Sequence, residues 1–419
     1  MKKIGVILMV VMLMGLLTFT ATASAKTINL LMEAVPDTFY IQNLLPEFEK
    51  ESGIKVEFEI VNYAQMHGKL LPQLLSPTGV YDAIVVDNYW AGEFPAAGWL
   101  EQLEPYVDKT PAIKLEDYLP SMLDMVGYYE GKLYMLPFYN YTMILIYRND
   151  LLTQAGVVIP DTVEEYVDLC SQMTQDVDGD GQMDVYGASM MGLKPDPICM
   201  EWSNYLFSCG GDYYDENWHA IINNAEGVES ARLYAKNMDL NAPMGAPGFG
   251  FDEAINMMAQ GKAFSLVTFW MFFTSLNNPL ESQVAGNILF QPMPGGANLN
   301  GGWGWAIPKS SPDKEAAWEF ISWVESPEIV IKRALQGGAP TRWDAFQAPE
   351  VVERYPYYPM IMKGLEKAKP VPEFLYSTEM IEVIGRELSL IVEGKDIQKA
   401  LDEAASGLNK LTKKAKLYR

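Results

Sequence analysis

The order of strand and helix patterns near the amino terminus constrains the fold more than any other feature of this chain. Short apolar or alternating segments predict strands, and apolar stripes with helical spacing predict the helices between them. In chain order the predicted elements are a strand at 28–32, a helix around 44–48 that ends near Gly53, a strand at 55–60, a helix at 66–75 and a strand at 83–86. Strands and helices that alternate in this way predict a parallel sheet covered on both faces.

The rest of the chain has the same kinds of pattern, without a sequence repeat. The predicted strands are 145–147 and 264–269, and the predicted helices are 164–173, 228–238, 252–259, 317–324 and most of 379–417, with a break near Gly394. A chain of 419 residues is too long for one ordinary core, so two domains are expected.

The first 25 residues have the composition of a secretory signal peptide. Lys2 and Lys3 precede an apolar run at 4–17, and small residues end the segment at Ala25. The alternative is a transmembrane anchor, but the run is shorter than the ~20 apolar residues of a membrane span. We expect cleavage after Ala25. No cysteine lies near that position, so a periplasmic protein without a lipid anchor is expected.

The charge and the motif inventory exclude several classes of function. The net charge of −23 disfavours binding to nucleic acid or to anionic membranes. It is weak support for a cationic ligand, because acidic surfaces commonly serve solubility. The chain has two His residues, and no metalloprotease, serine-hydrolase or phosphate-loop motif occurs. A glycoside hydrolase with two carboxylates remains the enzymatic alternative.

Three cysteines are too few for a disulfide scaffold. In an oxidising compartment Cys199 and Cys209 are the better pair, with Cys170 left over. Three buried thiols are equally compatible with the sequence, since free cysteine behaves as a small hydrophobe.

An acidic loop at 176–184 resembles a calcium-binding loop. The candidate ligands are Asp176, Asp178, Asp180, Gln182 and Asp184. Gly181 occupies the turn position, but position 12 is Gly187 where a complete loop has an acidic residue. The sequence therefore leaves two interpretations, a structural Ca²⁺ site or a polar glycine-rich loop before a strand at 185–187. No other cofactor is expected.

Seven short motifs occur in order along nearly the whole mature chain: 45–56 (LPEFEKESGIKV), 81–87 (YDAIVVD), 97–103 (AGWLEQL), 131–138 (GKLYMLPF), 147–152 (YRNDLL), 301–309 (GGWGWAIPK) and 337–342 (GGAPTR). Together they resemble one family, the extracellular solute-binding proteins of carbohydrate ABC importers (family 1, maltose-binding-protein-like). Each motif has low specificity, and their order and spacing carry the resemblance.

The resemblance implies a type II periplasmic-binding-protein fold with two α/β lobes, each a mainly parallel sheet flanked by helices. The implied lobes are 26–138 with 301–338, and 139–300 with 339–419. They would close on a ligand in the cleft between them and present it to the membrane permease of an ABC importer. A monomer that binds a neutral sugar or polyol is expected, because the candidate loops have few Lys and Arg residues for an anion.

Sugar sites combine carboxylates and amides for the hydroxyl groups with aromatic rings for the apolar faces. Residues of these types follow the predicted strands or lie at the implied lobe crossings, where ligands bind in open α/β sheets. The candidates are Glu33, Asp37, Asp87, Asn88, Tyr89, Trp90, Tyr139, Asn140, Tyr141, Glu201, Trp202, Asn204, Trp270, Gly302, Trp303, Trp305 and Arg342. For the Trp residues the alternative is core packing, for Asp87 a helix cap, and for Arg342 an interlobe salt bridge.

Overall fold

The computed structural model describes residues 26–365 and 368–418, so the predicted signal peptide lies outside the described residues. The strands are β1 (Lys26–Glu33), β2 (Ile54–Val61), β3 (Ala83–Asp87), β4 (Tyr128–Tyr129), β5 (Lys132–Leu133), β6 (Leu136–Asn140), β7 (Met143–Arg148), β8 (Ser265–Phe269), β9 (Ile288–Gln291), β10 (Leu299–Asn300), β11 (Gly302–Ala306) and β12 (Lys369–Pro370).

The α-helices range from single turns to five turns. They span Pro36–Ser52, Tyr63–Leu75, Glu93–Ala96, Glu104–Val107, Pro120–Met122, Asn149–Ala155, Val163–Met173, Asp196–Ser208, Ala225–Asn241, Phe251–Ala259, Phe272–Leu276, Lys314–Val324, Pro327–Leu335, Trp343–Gln347, Pro349–Arg354, Tyr358–Leu365, Ser377–Val392 and Ile397–Lys414. None of the helices in the described part of the chain has the length and apolar composition that a membrane span requires.

The first sheet has five strands in the order β2-β1-β3-β11-β6. β1 pairs in parallel with β2 and β3, as the alternation of strands and helices predicts, and β11 runs antiparallel to β3 and β6. Gly53 ends the first helix with φ of 73°, and its N–H donates to the carbonyl of Glu49. This left-handed position is favourable for glycine, so the predicted C-cap is confirmed.

The second sheet has three strands in the order β8-β7-β9. The central strand β7 runs antiparallel to both neighbours, so the expectation of a mainly parallel sheet in each lobe is wrong for this lobe. Apolar periodicity identifies a strand but carries no information about the direction of the strand beside it. That direction depends on long connections that the pattern does not resolve.

The chain crosses between the two sheets at 140–143 and again at 291–302. The two carboxyl-terminal helices pack on each other and on the helices Asp196–Ser208 and Ala225–Asn241 beside the second sheet. The short helices at 343–365 pack on Pro327–Leu335, while Tyr357 contacts Phe273 of the second lobe. This segment therefore contacts both lobes, and the exact lobe boundaries stay a prediction.

A buried ion pair lies behind the first sheet. The Arg333 guanidinium donates to Glu325 Oε1 at 2.7 Å, and both side chains are almost fully buried. Trp305 Nε1 donates to the same oxygen at 3.0 Å. Burial raises the pKa of Glu325 to about 6, and the Arg333 charge acts against that rise. We call Glu325, Arg333 and Trp305 the paired cluster.

All three cysteines are free thiols. Cys170 and Cys199 are buried, and Cys209 is partly buried at the end of the helix Asp196–Ser208. The structure therefore agrees with the interpretation of free thiols and not with a Cys199–Cys209 disulfide.

Candidate ligand-binding site

A cavity of about 350 Å³ lies where β1 and β3 end, between the first sheet and residues of the second lobe. The first wall is formed by residues 33–35, 62–64, 87–89 and 301–303. The second is formed by 193–197, Met200, 250–253, Phe269 and 271–272, and Tyr141 and Leu299 lie at the lobe crossings. The carboxyl ends of strands and a domain interface are both common places for a ligand site.

Two buried carboxylates lie side by side in the first wall. Glu33 ends β1 and Asp87 ends the neighbouring strand β3, and they are 8% and 3% exposed. Tyr139 donates its hydroxyl hydrogen to Glu33 Oε2 at 2.6 Å, and the Tyr89 N–H donates to Asp87 Oδ1 at 3.4 Å. Burial, with a contribution from the Asp87 charge, raises the pKa of Glu33 to about 8. Burial likewise raises the pKa of Asp87 to about 7.

Asn88 follows this pair and supplies an amide to the cavity. It is 2% exposed, and its Oδ1 accepts the Gly302 N–H at 3.2 Å. Its Nδ2 has no hydrogen-bond partner among the residues that the structure describes. The Glu373 carboxyl group lies beside this amide, so an acceptor on a ligand would share the two N–H donors of Nδ2 with Glu373.

Aromatic rings complete the first wall and are fixed by one another. Tyr63 stacks on Trp90 with centroids 6.1 Å apart, and Trp303 packs edge-on against Trp90 at 5.4 Å. Tyr63 and Trp303 line the cavity while Trp90 lies behind them. Rings held in this way present fixed apolar faces on which a sugar ring can stack.

The second wall is more exposed and mixes aromatic and charged residues. Phe251 stacks on Phe269 with centroids 5.5 Å apart. Asp196, in the first turn of its helix, lines the cavity, and burial, together with the Glu382 charge, raises its pKa to about 6. Lys194 is the one basic residue in the described lining, and it is exposed.

Seven of the residues predicted from the sequence line the cavity together: Glu33, Asp87, Asn88, Tyr89, Tyr141, Gly302 and Trp303. Asp87 also caps the short turn of helix at Asn88–Trp90, so its two interpretations are compatible. The structure thus brings together residues from four separate parts of the chain.

Four predicted residues lie directly behind the wall and contact those that line it or the lobe crossing. Tyr139 bonds to Glu33, Trp90 packs against Tyr63 and Trp303, and Asp37 accepts the Tyr141 hydroxyl hydrogen at 3.3 Å. Asn140 Nδ2 donates to Asn300 Oδ1 at 2.9 Å at the crossing. These contacts suit residues that position the wall.

Six predicted residues lie away from the cavity lining and have partners within the protein. Glu201 accepts the Met191 N–H, Trp202 packs edge-on against Tyr213, and Asn204 accepts the Leu299 N–H at 2.9 Å. Trp270 donates to the Asn140 carbonyl, Trp305 belongs to the paired cluster, and Arg342 pairs with Asp117 and Asp344. Trp202, Trp270 and Trp305 are therefore packed in the core, which was the alternative to ligand contact. Arg342 forms salt bridges, which was its alternative. Contact of these six with a ligand stays a prediction.

Sequence analysis missed Tyr63 and the residues of the second wall. Tyr63 lies two residues beyond the end of β2, so the rule that identified Asp87 could also have found it. The segment 193–197 and the residues 250–253 carry no comparable signal, because they precede helices. Only the packing of the two lobes brings them to the cavity.

In the acidic loop, three of the predicted ligand residues lie close together. Oxygen atoms of Asp176, Asp178 and Asp184 lie within 4.8 Å of one another. Asp176 accepts the N–H groups of Gly179 and Gly181 at 2.8 and 2.9 Å, and a bridge joins Gln175 to Val185 in place of the predicted strand. Calcium binding here stays a prediction.

Comparison with known proteins assigns the chain to a family. The model of the bacterial extracellular solute-binding protein family matches residues 35–331. A probable amino-acid ABC transporter periplasmic-binding protein of Sinorhizobium fredii is 27% identical over 324 residues, 76% of this chain and 73% of the relative. The mannitol-binding protein of Pseudomonas aeruginosa is 26% identical over 400 residues, 91% of this chain and 89% of the relative.

The fold is also that of a solved relative. An ABC transporter solute-binding protein from Agrobacterium radiobacter, solved in complex with ribitol, superposes with a TM-score of 0.84 at 27% identity. The superposition covers 92% of this chain and 98% of that one. The predicted two-lobed α/β fold is confirmed, and this chain belongs to the bacterial extracellular solute-binding proteins.

Proposed function

We propose that this protein captures a small sugar or polyol without an anionic group in the cavity between its lobes and delivers it to the permease of an ABC importer. The lining of the cavity is the observation that carries the proposal. Carboxylates and the unpaired Asn88 amide can pair with hydroxyl groups, while Tyr63 and Trp303 offer faces for the C–H surfaces of the ligand. The volume of about 350 Å³ suits a ligand of one or two rings, or a polyol chain.

Two of the relatives are named or solved with a polyol, which supports this ligand class. The Sinorhizobium relative is named for amino acids. An amino acid also carries a carboxylate, which requires a cationic or N–H-rich partner. In the described lining only the exposed Lys194 offers a cation, so a sugar or polyol fits this cavity better.

The family is extracellular, and we propose that this member acts as a periplasmic monomer without a lipid anchor, after cleavage behind Ala25. Closure of the lobes on the ligand would produce the surface that the permease recognises. We assign the protein no enzymatic activity.

A thermal-shift screen tests the proposal. The panel contains ribitol, mannitol, common pentoses and hexoses, maltose and arabino-oligosaccharides, with amino acids and short peptides as the competing class. A ligand at 100 times its Kd adds about 2.7 kcal/mol to the free energy of unfolding, which gives a clear rise in Tm. A rise with amino acids or peptides and none with any saccharide or polyol would contradict the proposal.

The hydrolase alternative has no support from the family. Incubation with oligosaccharides followed by chromatography separates the two functions, since an importer component returns its ligand intact. Release of shorter sugars by the purified protein, abolished in Glu33→Gln, would favour a hydrolase.

A further inference from the structure

We propose that the preferred ligand is a sugar or polyol that carries a protonated amino group, held beside Glu33 and Asp87. This inference rests on the proposed function and narrows its ligand class. It concerns the charges that line the cavity, and the net charge of the whole chain plays no part in it.

The first observation is that the two buried carboxylates have no counter-ion. Their hydrogen bonds come from the hydroxyl groups of Tyr139 and Tyr63 and from backbone N–H groups, and no ion pair joins either of them to a Lys or Arg in the described part of the chain. Elsewhere in the same protein a buried carboxylate, Glu325, has an arginine at 2.7 Å. A buried carboxyl group is normally either paired with a cation or kept protonated by a raised pKa, and these two have a raised pKa and no cation, so a cationic ligand group would favour their ionised forms.

The second observation is that the imbalance extends over both walls. Asp196, Asp252 and Glu253 add carboxylates from the second lobe, while Lys194 is the single opposing charge among the described lining residues. Charges of one sign in a cavity with low-dielectric walls give a strong local potential. This potential attracts a cationic group and repels an anionic one.

The third observation is that the hydrogen-bond inventory fits an amino sugar. An ammonium group has three donors and no acceptor, and its binding would favour the ionised forms of Glu33 and Asp87, which are acceptors only. The Asn88 amide remains for a ligand hydroxyl or ring oxygen. Tyr63 and Trp303 offer aromatic faces, which also favour cations.

The test uses sets of related ligands in which one substituent makes a member neutral, cationic or anionic. The matched sets are glucitol, N-methyl-D-glucamine and gluconate; glucose, glucosamine and glucuronate; galactose, galactosamine and galacturonate; and mannose, mannosamine and mannuronate. Isothermal titration calorimetry is carried out on the mature protein at neutral pH and physiological salt. In at least one set we expect the amine to bind tenfold or more tightly than the neutral member, and the anion to show no binding.

Two charge-removing variants test whether Glu33 and Asp87 cause the preference for the amine. Glu33→Gln and Asp87→Asn should each reduce the ratio of amine to neutral affinity at least fivefold, with folding verified by circular dichroism. Asp239→Asn makes the same charge change on an exposed part of the helix Ala225–Asn241 and should leave the ratio unchanged. Should one cavity variant fail to fold, the other still decides the question.

The outcomes separate this inference from the proposed function. Neutral members that bind as well as, or better than, their amines would overturn the inference and leave the proposed function in place. An amine preference that survives in both cavity variants would also overturn it. If no member of any set binds and the wider saccharide panel gives no shift, both fail together.

Discussion

Two buried acidic regions of this protein differ in how their charge is balanced. In the paired cluster, Glu325 has Arg333 and Trp305 as hydrogen-bond partners, and all of them are buried behind the first sheet. In the cavity, Glu33 and Asp87 are also buried but have only neutral donors from the protein. The charges of the first region balance each other within the fold, although Glu325 Oε2 and Arg333 Nε have no hydrogen-bond partner among the described residues, while the carboxyl groups of the second region have no cation.

The difference separates a structural site from a ligand site in a way that burial alone does not. Burial raises the pKa of Glu325, Glu33 and Asp87, but only Glu325 has an arginine charge that opposes the rise. A buried carboxylate that is paired with a cation should matter for stability, and buried carboxyl groups without a cation should matter for ligand binding. Variants at the two regions should therefore have opposite effects.

The largest effect should come from Arg333→Met. This change leaves the Glu325 carboxylate buried without its cation, and it also removes the charge that lowers the pKa of Asp37. We expect a loss of about 3–5 kcal/mol in the free energy of unfolding, measured by urea denaturation. Lys332→Met is the control, because its pairs with Glu47 and Glu328 are exposed and should contribute less than about 1 kcal/mol. Equal losses in both variants would contradict the distinction.

Two carboxyl-to-amide variants should change the free energy of unfolding in opposite directions. Glu325→Gln removes one partner of a buried pair and should destabilise the protein by about 2–3 kcal/mol at pH 8. Glu33→Gln removes a buried carboxylate that has no cation and should stabilise the ligand-free protein at pH 8 by about 1 kcal/mol or more. Urea denaturation without ligand measures both, and a destabilised Glu33→Gln would place Glu33 with the structural residues.

The stability gained by Glu33→Gln should depend on pH in a defined direction. The pKa of Glu33 rises from 4.5 to about 8 in the folded state, chiefly by burial, with Asp87 and Tyr139 as the groups that face it. The folded protein then holds the proton more tightly, so this stabilisation is complete below pH 4.5 and is lost as the pH rises through about 8. The stability of Glu33→Gln relative to wild type should therefore increase between pH 5 and pH 8.

Denaturation midpoints at pH 5, 6.5 and 8 measure this trend, with Asp239→Asn as the exposed control. A difference between wild type and Glu33→Gln that stays constant over this range would show that the carboxyl group keeps its ordinary pKa.

The smallest effects should come from two tryptophans of β11. Trp305→Phe removes the hydrogen bond to Glu325 and should reduce stability by about 1 kcal/mol with no change in ligand affinity. Trp303→Phe should also cost about 1 kcal/mol, through lost packing on Trp90, but should in addition weaken binding of the best ligand a few-fold, because a smaller ring covers less of it. Unfolding and calorimetry on both variants show whether the two roles are separate.

The same tryptophans show where prediction from sequence stopped. Trp303 and Trp305 are two residues apart in one motif, and in a regular strand such residues share a face. β11 pairs with β3 without a register shift, so Trp303 lies opposite Asp87 at the cavity end of β3 and Trp305 lies opposite Val85 farther inside the sheet, and only Trp303 lines the cavity. The local pattern does not indicate where the neighbouring strand ends, so the two residues looked equivalent.

The elements of the first sheet were predictable for a simple reason. Strand alternation and helical stripes are local patterns, and the rule that ligands bind beyond strand ends placed Glu33, Asp87 and Asn88 correctly at the cavity. The direction of the strands in the second sheet and the second wall of the cavity depend on long connections. For them the sequence offered no local signal.

The sequence by itself determined the strands and helices, the family and the residue types of the first cavity wall, because these follow from short-range periodicity and from the ends of strands. Only the tertiary structure decided which carboxylates are balanced by a cation and which are not. Charge balance is set by contacts in space: Arg333 pairs with Glu325, while the neighbours of Glu33 and Asp87 are neutral donors and other carboxyl groups, among them Asp196 and Glu373. The electrostatic interaction between two charges depends on their separation in space, which their separation in the sequence does not predict.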